Sequence, residues 1–177
     1  MAHEEQVDFC KEVKEKFPEH FKEAKVLDIG SLDVNGSNRI LFEGGVYVGC
    51  DLGEGKNVDI VCPGHEYDAP AGSLDVVITT EALEHDKHIK KTLNHSIKLL
   101  RSGGLLIITC AGPDRWEHGT SGSNPSDSPF TNDYYGNVSI SMAKELMDMD
   151  AFAEHEFRYD GGGRRGKRDL QFWGIKK

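Results

Sequence analysis

The stretch Lys25-Val26-Leu27-Asp28-Ile29-Gly30-Ser31-Leu32-Asp33-Val34-Asn35-Gly36-Ser37 constrains the fold more than any other part of the chain. It begins as a short apolar run containing β-branched residues, the pattern of a strand buried on both faces. An acid, a glycine, a polar loop and a second glycine follow, and Asn38-Arg39-Ile40-Leu41-Phe42 reads as a short helix. Strand, tight glycine turn and helix bring backbone N–H groups and a helix N-terminus to the carboxyl edge of a sheet, where α/β proteins hold nucleotides. Asp28 adds a negative charge at the strand's end, which suits a cationic ligand better than a pyrophosphate. Gly30 and Gly36 also stand too far apart for the G-x-G-x-x-G of dinucleotide binders.

A second strand, Val46 to Asp51, ends in an acid about twenty residues after the glycine turn. A carboxylate there can accept hydrogen bonds from two vicinal hydroxyls, so Asp51 reads as a ribose ligand. Asn57 to Cys62 reads as a third strand, followed by Pro63-Gly64-His65-Glu66. The run Leu74-Asp75-Val76-Val77-Ile78-Thr79-Thr80 is a fourth, and Glu81-Ala82-Leu83-Glu84-His85 is expected to open the next helix. That helix has Ile89, Leu93, Ile97, Leu99 and Leu100 as its apolar set. It is expected to stop at Arg101-Ser102-Gly103-Gly104, a basic last turn and a glycine cap. Leu105 to Cys110 is a continuous apolar strand.

Taken together, these pieces resemble the class I S-adenosylmethionine-dependent methyltransferases. Val26-Leu27-Asp28-Ile29-Gly30 matches the first half of their motif I, whereas Leu32 stands at its second glycine and Asp33-Val34-Asn35-Gly36 replaces the rest. Gly72 to His85 looks like their fourth strand and following segment, and the amphipathic helix, Gly103-Gly104 and apolar strand resemble their fifth-strand signature. The three matches fall in the correct order over Val26 to Cys110, half the chain. The resemblance implies a Rossmann-like, doubly wound α/β fold with seven strands, mostly parallel, closed by a C-terminal antiparallel hairpin. S-adenosylmethionine is the implied cofactor. Asp28, Gly30, Ser31 and Leu32 would form its amino-acid cradle, Asp51 would hold the ribose, and Leu52 would flank the adenine. Thr80 joins this set at the end of the fourth strand. The family's usual acid after the third strand is missing, so Cys62, Gly64 and His65 are the expected adenine neighbours.

The remaining segments fit one domain over residues 1–177. Glu4 to Ala24 is a leading helix carrying Val7, Phe9, Cys10, Val13 and Phe17 at helical spacing, with Pro18 breaking it before a short piece from His20. Residues 111–136 form a long polar stretch without periodicity, carrying Trp116, Glu117, His118, Phe130, Tyr134 and Tyr135. Its place after the fifth strand predicts a substrate lid. Ser139 to Met149 reads as a helix, and Ala151 to Tyr159 and Asp169 to Ile175 as the two strands of the hairpin. The basic run Gly161 to Arg168 joins those strands as a solvated tip. The excess of 30 acidic over 21 basic residues gives a formal charge of −9, which disfavours wholesale binding to nucleic acid or an anionic membrane. The four scattered cysteines, the acidic polar N-terminus and the lack of a long apolar run predict a reduced, cytoplasmic protein.

The sulfonium makes its methyl group electrophilic, so the protein mainly has to place a nucleophile in line with the C–S bond. A hydroxyl acceptor adds the need for a base, sought among Glu81, Glu84, His85, His88 and His118. His85 is the first choice, since a neutral imidazole accepts protons near pH 7; His118 on the lid and Glu81 follow. Glu81, His85 and His88 at i, i+4 and i+7 could bind a metal, but helix-start acids and solvated histidines explain them, and no metal is expected. The expected acceptor is a small molecule or sugar-like hydroxyl or amine. A non-catalytic S-adenosylmethionine- or nucleotide-binding module is the rival reading. Exocyclic-amine methylation of a DNA base is disfavoured because Thr79-Thr80-Glu81-Ala82 stands where an Asn-Pro-Pro-Tyr motif would be.

Overall fold

The computed structural model describes residues 4–160 and 168–177. Seven strands form one sheet: β1 (Lys25–Ile29), β2 (Val46–Asp51), β3 (Ile60–Val61), β4 (Leu74–Thr80), β5 (Leu100–Ala111), β6 (Phe152–Tyr159) and β7 (Asp169–Lys176). Their spatial order is β3-β2-β1-β4-β5-β7-β6. The first five run parallel, and β7 inserts antiparallel between β5 and β6. The connection order reverses between β1 and β4, which opens a crevice at their carboxyl ends, the switch point at which open α/β sheets hold ligands.

Both faces of the sheet are covered, which is why the central strands read as unbroken apolar runs. On one face α1 (Glu4–Lys16) and the 3-10 turn Pro18–Phe21 bury Phe9, Cys10, Val13 and Phe21 against Val26, Val76, Ile78, Leu105 and Ile107. On the other, α2 (Ile89–Leu99) and α3 (Ile140–Leu146) pack Leu93, Ile97, Leu99 and Ala143 against Leu27, Ile29, Val77, Leu106 and Ile108. The alternation of Val26 with Leu27 between two cores follows from the strand's period of two.

Several local expectations change. The leading helix breaks at Phe17 as expected, but the piece after Pro18 is a single 3-10 turn rather than a helix reaching Ala24. The segment after the glycine turn is likewise a four-residue 3-10 turn, Asn38–Leu41, whose Ser37 side chain accepts a hydrogen bond from the Arg39 N–H. It is too short to contribute a helix dipole to the crevice. β3 keeps only two residues of the six expected. Residues 81–85 do not begin α2: Leu83–His85 is a separate 3-10 turn, Asp86 accepts from the His88 N–H, and α2 starts at Ile89. Glu81, His85 and His88 therefore do not share a helix face, which removes the basis of the metal spacing considered for them. At its other end α2 stops at Leu99, because Leu100 turns extended and pairs with Leu74. Gly103, with φ of +72°, serves the register shift of β5 instead of capping a helix. The basic run from Gly161 lies outside the described residues up to Lys167. Among the described residues no helix is long and apolar enough to cross a membrane.

Candidate active site

A cavity of about 320 Å³ opens over the carboxyl ends of β1, β2 and β4. Its walls are the turn after β1, the ends of β2 and β3, the segment from Thr80 to His88 and residues 127–132 of the long loop. All ten residues expected around a cofactor face it: Asp28, Gly30, Ser31, Leu32, Asp51, Leu52, Cys62, Gly64, His65 and Thr80. Gly30 is required by backbone shape, with φ of +78° and a hypothetical Cβ only 2.3 Å from the Ala82 Cβ. Any side chain there would push the β1 turn away from β4.

Asp51 is held from the backbone. The Leu32 N–H donates to one carboxylate oxygen at 3.0 Å and the Leu52 N–H to the other at 2.7 Å, which fixes the group at the cavity wall with lone pairs to spare. Burial raises its proton affinity, and these N–H groups partly offset that. Asp28 is buried one strand away and accepts a 2.7 Å hydrogen bond from the Tyr47 hydroxyl. Burial pushes its carboxyl up to about 6, against the pull of that hydrogen bond. Ser31 turns its hydroxyl to the Asn57 carbonyl, so it offers the cavity chiefly backbone. The Cys62 N–H is taken by the Asp51 carbonyl, which removes it as a base-reading donor. His65 packs its ring against His88 with centroids 4.8 Å apart, and its Nδ1 is buried without a hydrogen-bond partner among the described residues. Thr80 Oγ1 accepts from Asn38, which in turn accepts from Gln6 of α1. Leu52 is 44% exposed and Phe130 41%, two apolar surfaces on an otherwise polar rim.

The three residues expected to handle protons part company. Glu81 has φ of +54°, and its carboxylate accepts from Thr109 at 3.0 Å and faces Arg115 at 3.5 Å. Arg115 also pairs with Asp169 at the start of β7, so Glu81 is committed to a buried ion network. His85 lines the cavity, while His118 stands behind it with ring centroids 5.1 Å apart. Tyr135 closes the ring cluster, 5.5 Å from His85 and 5.1 Å from His118. Burial lowers the His85 imidazole below its ordinary value, opposed by the charge of Glu84. Glu84 itself is fully buried in the same corner. Burial raises its carboxyl, but the facing His118 and His85 rings carry it below the ordinary value.

Sequence reasoning did not single out Arg115, Asn38 or Tyr47. Arg115 meets Asp169 across 54 residues of chain, and nothing local in a polar loop marks such a pairing. Tyr47 was readable only as one alternating position of β2.

A family model described as a methyltransferase domain matches residues 1–156. The sequence matches no curated protein. Among solved structures, the chain is similar to the 1,6-didemethyltoxoflavin-N1-methyltransferase of Burkholderia thailandensis, crystallised with its 1,6-didemethyltoxoflavin and S-adenosylhomocysteine. Identity is 16% and the TM-score 0.71, over 98% of this chain and 79% of that one. It is also similar to a phosphoethanolamine N-methyltransferase of Haemonchus contortus, at 16% identity and TM-score 0.67, covering 96% of this chain and 52% of that one. A methyltransferase of Archaeoglobus fulgidus matches at 16% identity and TM-score 0.65, over 96% and 94%. At such identities the likeness is one of fold.

Proposed function

The chain belongs to the methyltransferase-domain family, and from that premise we propose that it transfers a methyl group from S-adenosylmethionine to a hydroxyl or amine of a small-molecule acceptor. The observation that carries this reading is the Asp51 carboxylate, pinned by two backbone N–H groups at the wall of a cavity of nucleoside size. A ribose diol can donate to the lone pairs those N–H groups leave open. Leu52 and Phe130 give the adenine two apolar surfaces, and His65 lines the cavity beside them. The amino-acid tail then lies along the turn from Gly30 to Leu32. There Asp28, buried and holding a proton more tightly than usual, gains the cation it lacks from the tail's ammonium group.

This pose directs the sulfonium methyl toward the segment after β4, where His85 faces the cavity. The acceptor enters beneath the 127–132 tip of the long loop, which acts as the lid. Bound there, S-adenosylmethionine would supply the methyl group: the acceptor's nucleophilic atom would take the methyl carbon in line with the C–S bond, the bonding electrons going to sulfur and the acceptor's proton to solvent. Little beyond alignment and exclusion of water is needed for that step. The small-molecule acceptors of the Burkholderia and Haemonchus enzymes support an acceptor of that size.

Calorimetric titration with S-adenosylhomocysteine tests the reading. Wild-type protein is expected to bind one equivalent. Asp51→Ala removes two charge-assisted hydrogen bonds to the diol, each on the order of 1.5–3 kcal/mol, and is expected to weaken binding by about a hundredfold or more. Unchanged affinity in Asp51→Ala would refute the placement. Binding without turnover across hydroxyl and amine acceptors would favour a non-catalytic module.

A further inference from the structure

Beside the cleft, Glu84, His85 and His118 bring three ligand atoms within 4.8 Å of one another. We propose that this corner is a divalent-cation site of the two-histidine, one-carboxylate type, and that it deepens the methyl-transfer reading by holding an oxygen of the acceptor. Glu84 is 0% exposed, and neither of its carboxylate oxygens has a hydrogen-bond partner among the described residues. The His85 and His118 rings offset the cost of burying this carboxylate only when they are protonated; with neutral rings a coordinated cation is one of the few arrangements that do so. His118 Nε2 is buried, also without a hydrogen-bond partner among the described residues, and stands 3.6 Å from Glu84 Oε1. That spacing exceeds a hydrogen bond but fits two ligands on one ion, each about 2.1 Å from it.

The two rings are oriented as ligands usually are. His85 Nδ1 lies 3.1 Å from the Tyr134 carbonyl oxygen, and His118 Nδ1 lies 3.2 Å from that of Trp116. A proton on each Nδ1 donates to its carbonyl and leaves Nε2 as a lone-pair donor, the backbone fixing the tautomer from behind. Gly119 keeps the approach open: a Cβ there would come within 2.9 Å of the His85 ring. The loop is tied down at the same place, since the Gly136 N–H donates to the Glu84 carbonyl at 2.8 Å. Two imidazoles and one carboxylate favour a first-row transition ion such as Mn²⁺, Fe²⁺ or Zn²⁺ over Mg²⁺ or Ca²⁺. Three protein ligands leave positions for solvent or substrate, and His85 is the member that lines the cavity. An ion held there would acidify an acceptor hydroxyl bound to it, easing loss of its proton to water before methyl transfer. His85 and His118 then serve as ligands in place of the proton acceptors the sequence made them.

The inference rests on the methyltransferase reading only for its acceptor, so the two are tested separately. Chelator-treated full-length protein is titrated with Co²⁺, following its visible d–d absorption, and in parallel with S-adenosylhomocysteine. One equivalent of Co²⁺ giving ligand-field bands of a nitrogen- and oxygen-bound ion is expected, with Glu84→Gln and His118→Gln each weakening it at least tenfold. His88→Gln, on the other side of His85, should leave it unchanged. Absence of stoichiometric Co²⁺ binding in wild-type protein that still binds S-adenosylhomocysteine overturns the metal site alone, and makes the corner a histidine–carboxylate ion pair. Co²⁺ binding without S-adenosylhomocysteine binding overturns the cofactor reading and leaves the metal site standing. Bands that persist in both variants place the ion elsewhere and also overturn the proposal.

Discussion

Asp28 shows how one residue can link folding, pH and ligand. Its position at the fourth residue of β1 points the carboxylate to the same face as Val26, beneath α1, where the Tyr47 hydroxyl and the charge of Arg39 only partly compensate for lost water. Burial raises its affinity for a proton to about 6, above that of the same group in an unfolded chain. The native state therefore holds the proton longer. The stabilisation linked to it is complete below the ordinary carboxylate range near 4 and is lost as pH rises through 6. The full swing is on the order of 2–3 kcal/mol. An ammonium group in the cavity reverses the preference, because it favours the ionised form. Urea unfolding from pH 4 to 7.5 is expected to show a decline in ligand-free stability that Asp28→Asn flattens. Affinity for S-adenosylhomocysteine should rise across the same interval in wild-type protein and not in the variant. Parallel pH profiles for the two proteins would show that Asp28 neither titrates there nor senses the ligand.

The long connection after β5 is the element whose behaviour is least obvious from its composition. Its ends are stitched to the scaffold: Asn137 donates to the carbonyls of Gly112 and Arg115, and the Val138 N–H donates to that of Ala111. With the base fixed, the tip at 127–132 reaches back over the cavity, and Phe130 lies so close to the β2 turn that a Cβ on Gly53 would be 2.4 Å from its ring. If this tip is a lid, Phe130→Ala removes its apolar clasp, and Gly53→Val wedges it open. Each is expected to speed S-adenosylhomocysteine release by about tenfold, the equivalent of some 1.4 kcal/mol, in stopped-flow displacement. Unaltered release in both variants would make the loop a static wall. Aromatics in a long aperiodic stretch suggested a lid but said nothing of its path, since Phe130 to Gly53 and Asn137 to Gly112 are contacts with no local pattern. The β1 turn and Asp51 were legible for the opposite reason: strand period, glycine and acid lie within one short window. The end of α2 misled because Gly103-Gly104 after an amphipathic run has the form of a helix cap. The pairing of Leu100 with Leu74 drew Leu100 and the residues after it into β5. Glu84 was visible as one acid among several, and only its burial beside His118 sets it apart.

At the scale of the molecule, the cavity is assembled from segments far apart in the chain, the turns after β1, β2 and β4 together with the long loop. A ligand that touches all of them binds only the folded arrangement, so its binding free energy adds to the stability of the whole sheet rather than of one element. With S-adenosylhomocysteine at a hundred times its Kd the gain is about 2.7 kcal/mol. For a chain of this length each kcal/mol moves the midpoint by about 2–4 °C, so a rise in Tm of roughly 5–10 °C is expected by calorimetry. Asp51→Ala should lose most of that rise at the same ligand concentration while keeping a cooperative transition, because its carboxylate bonds backbone N–H groups of the turns after β1 and β2 rather than the apolar core. Adenosine alone and methionine alone each reach one half of the cavity, and each should give a smaller shift than the joined molecule even at saturation. A full shift from adenosine alone would mean that the turn from Gly30 to Leu32 takes no part, and the amino-acid tail would have to be placed elsewhere.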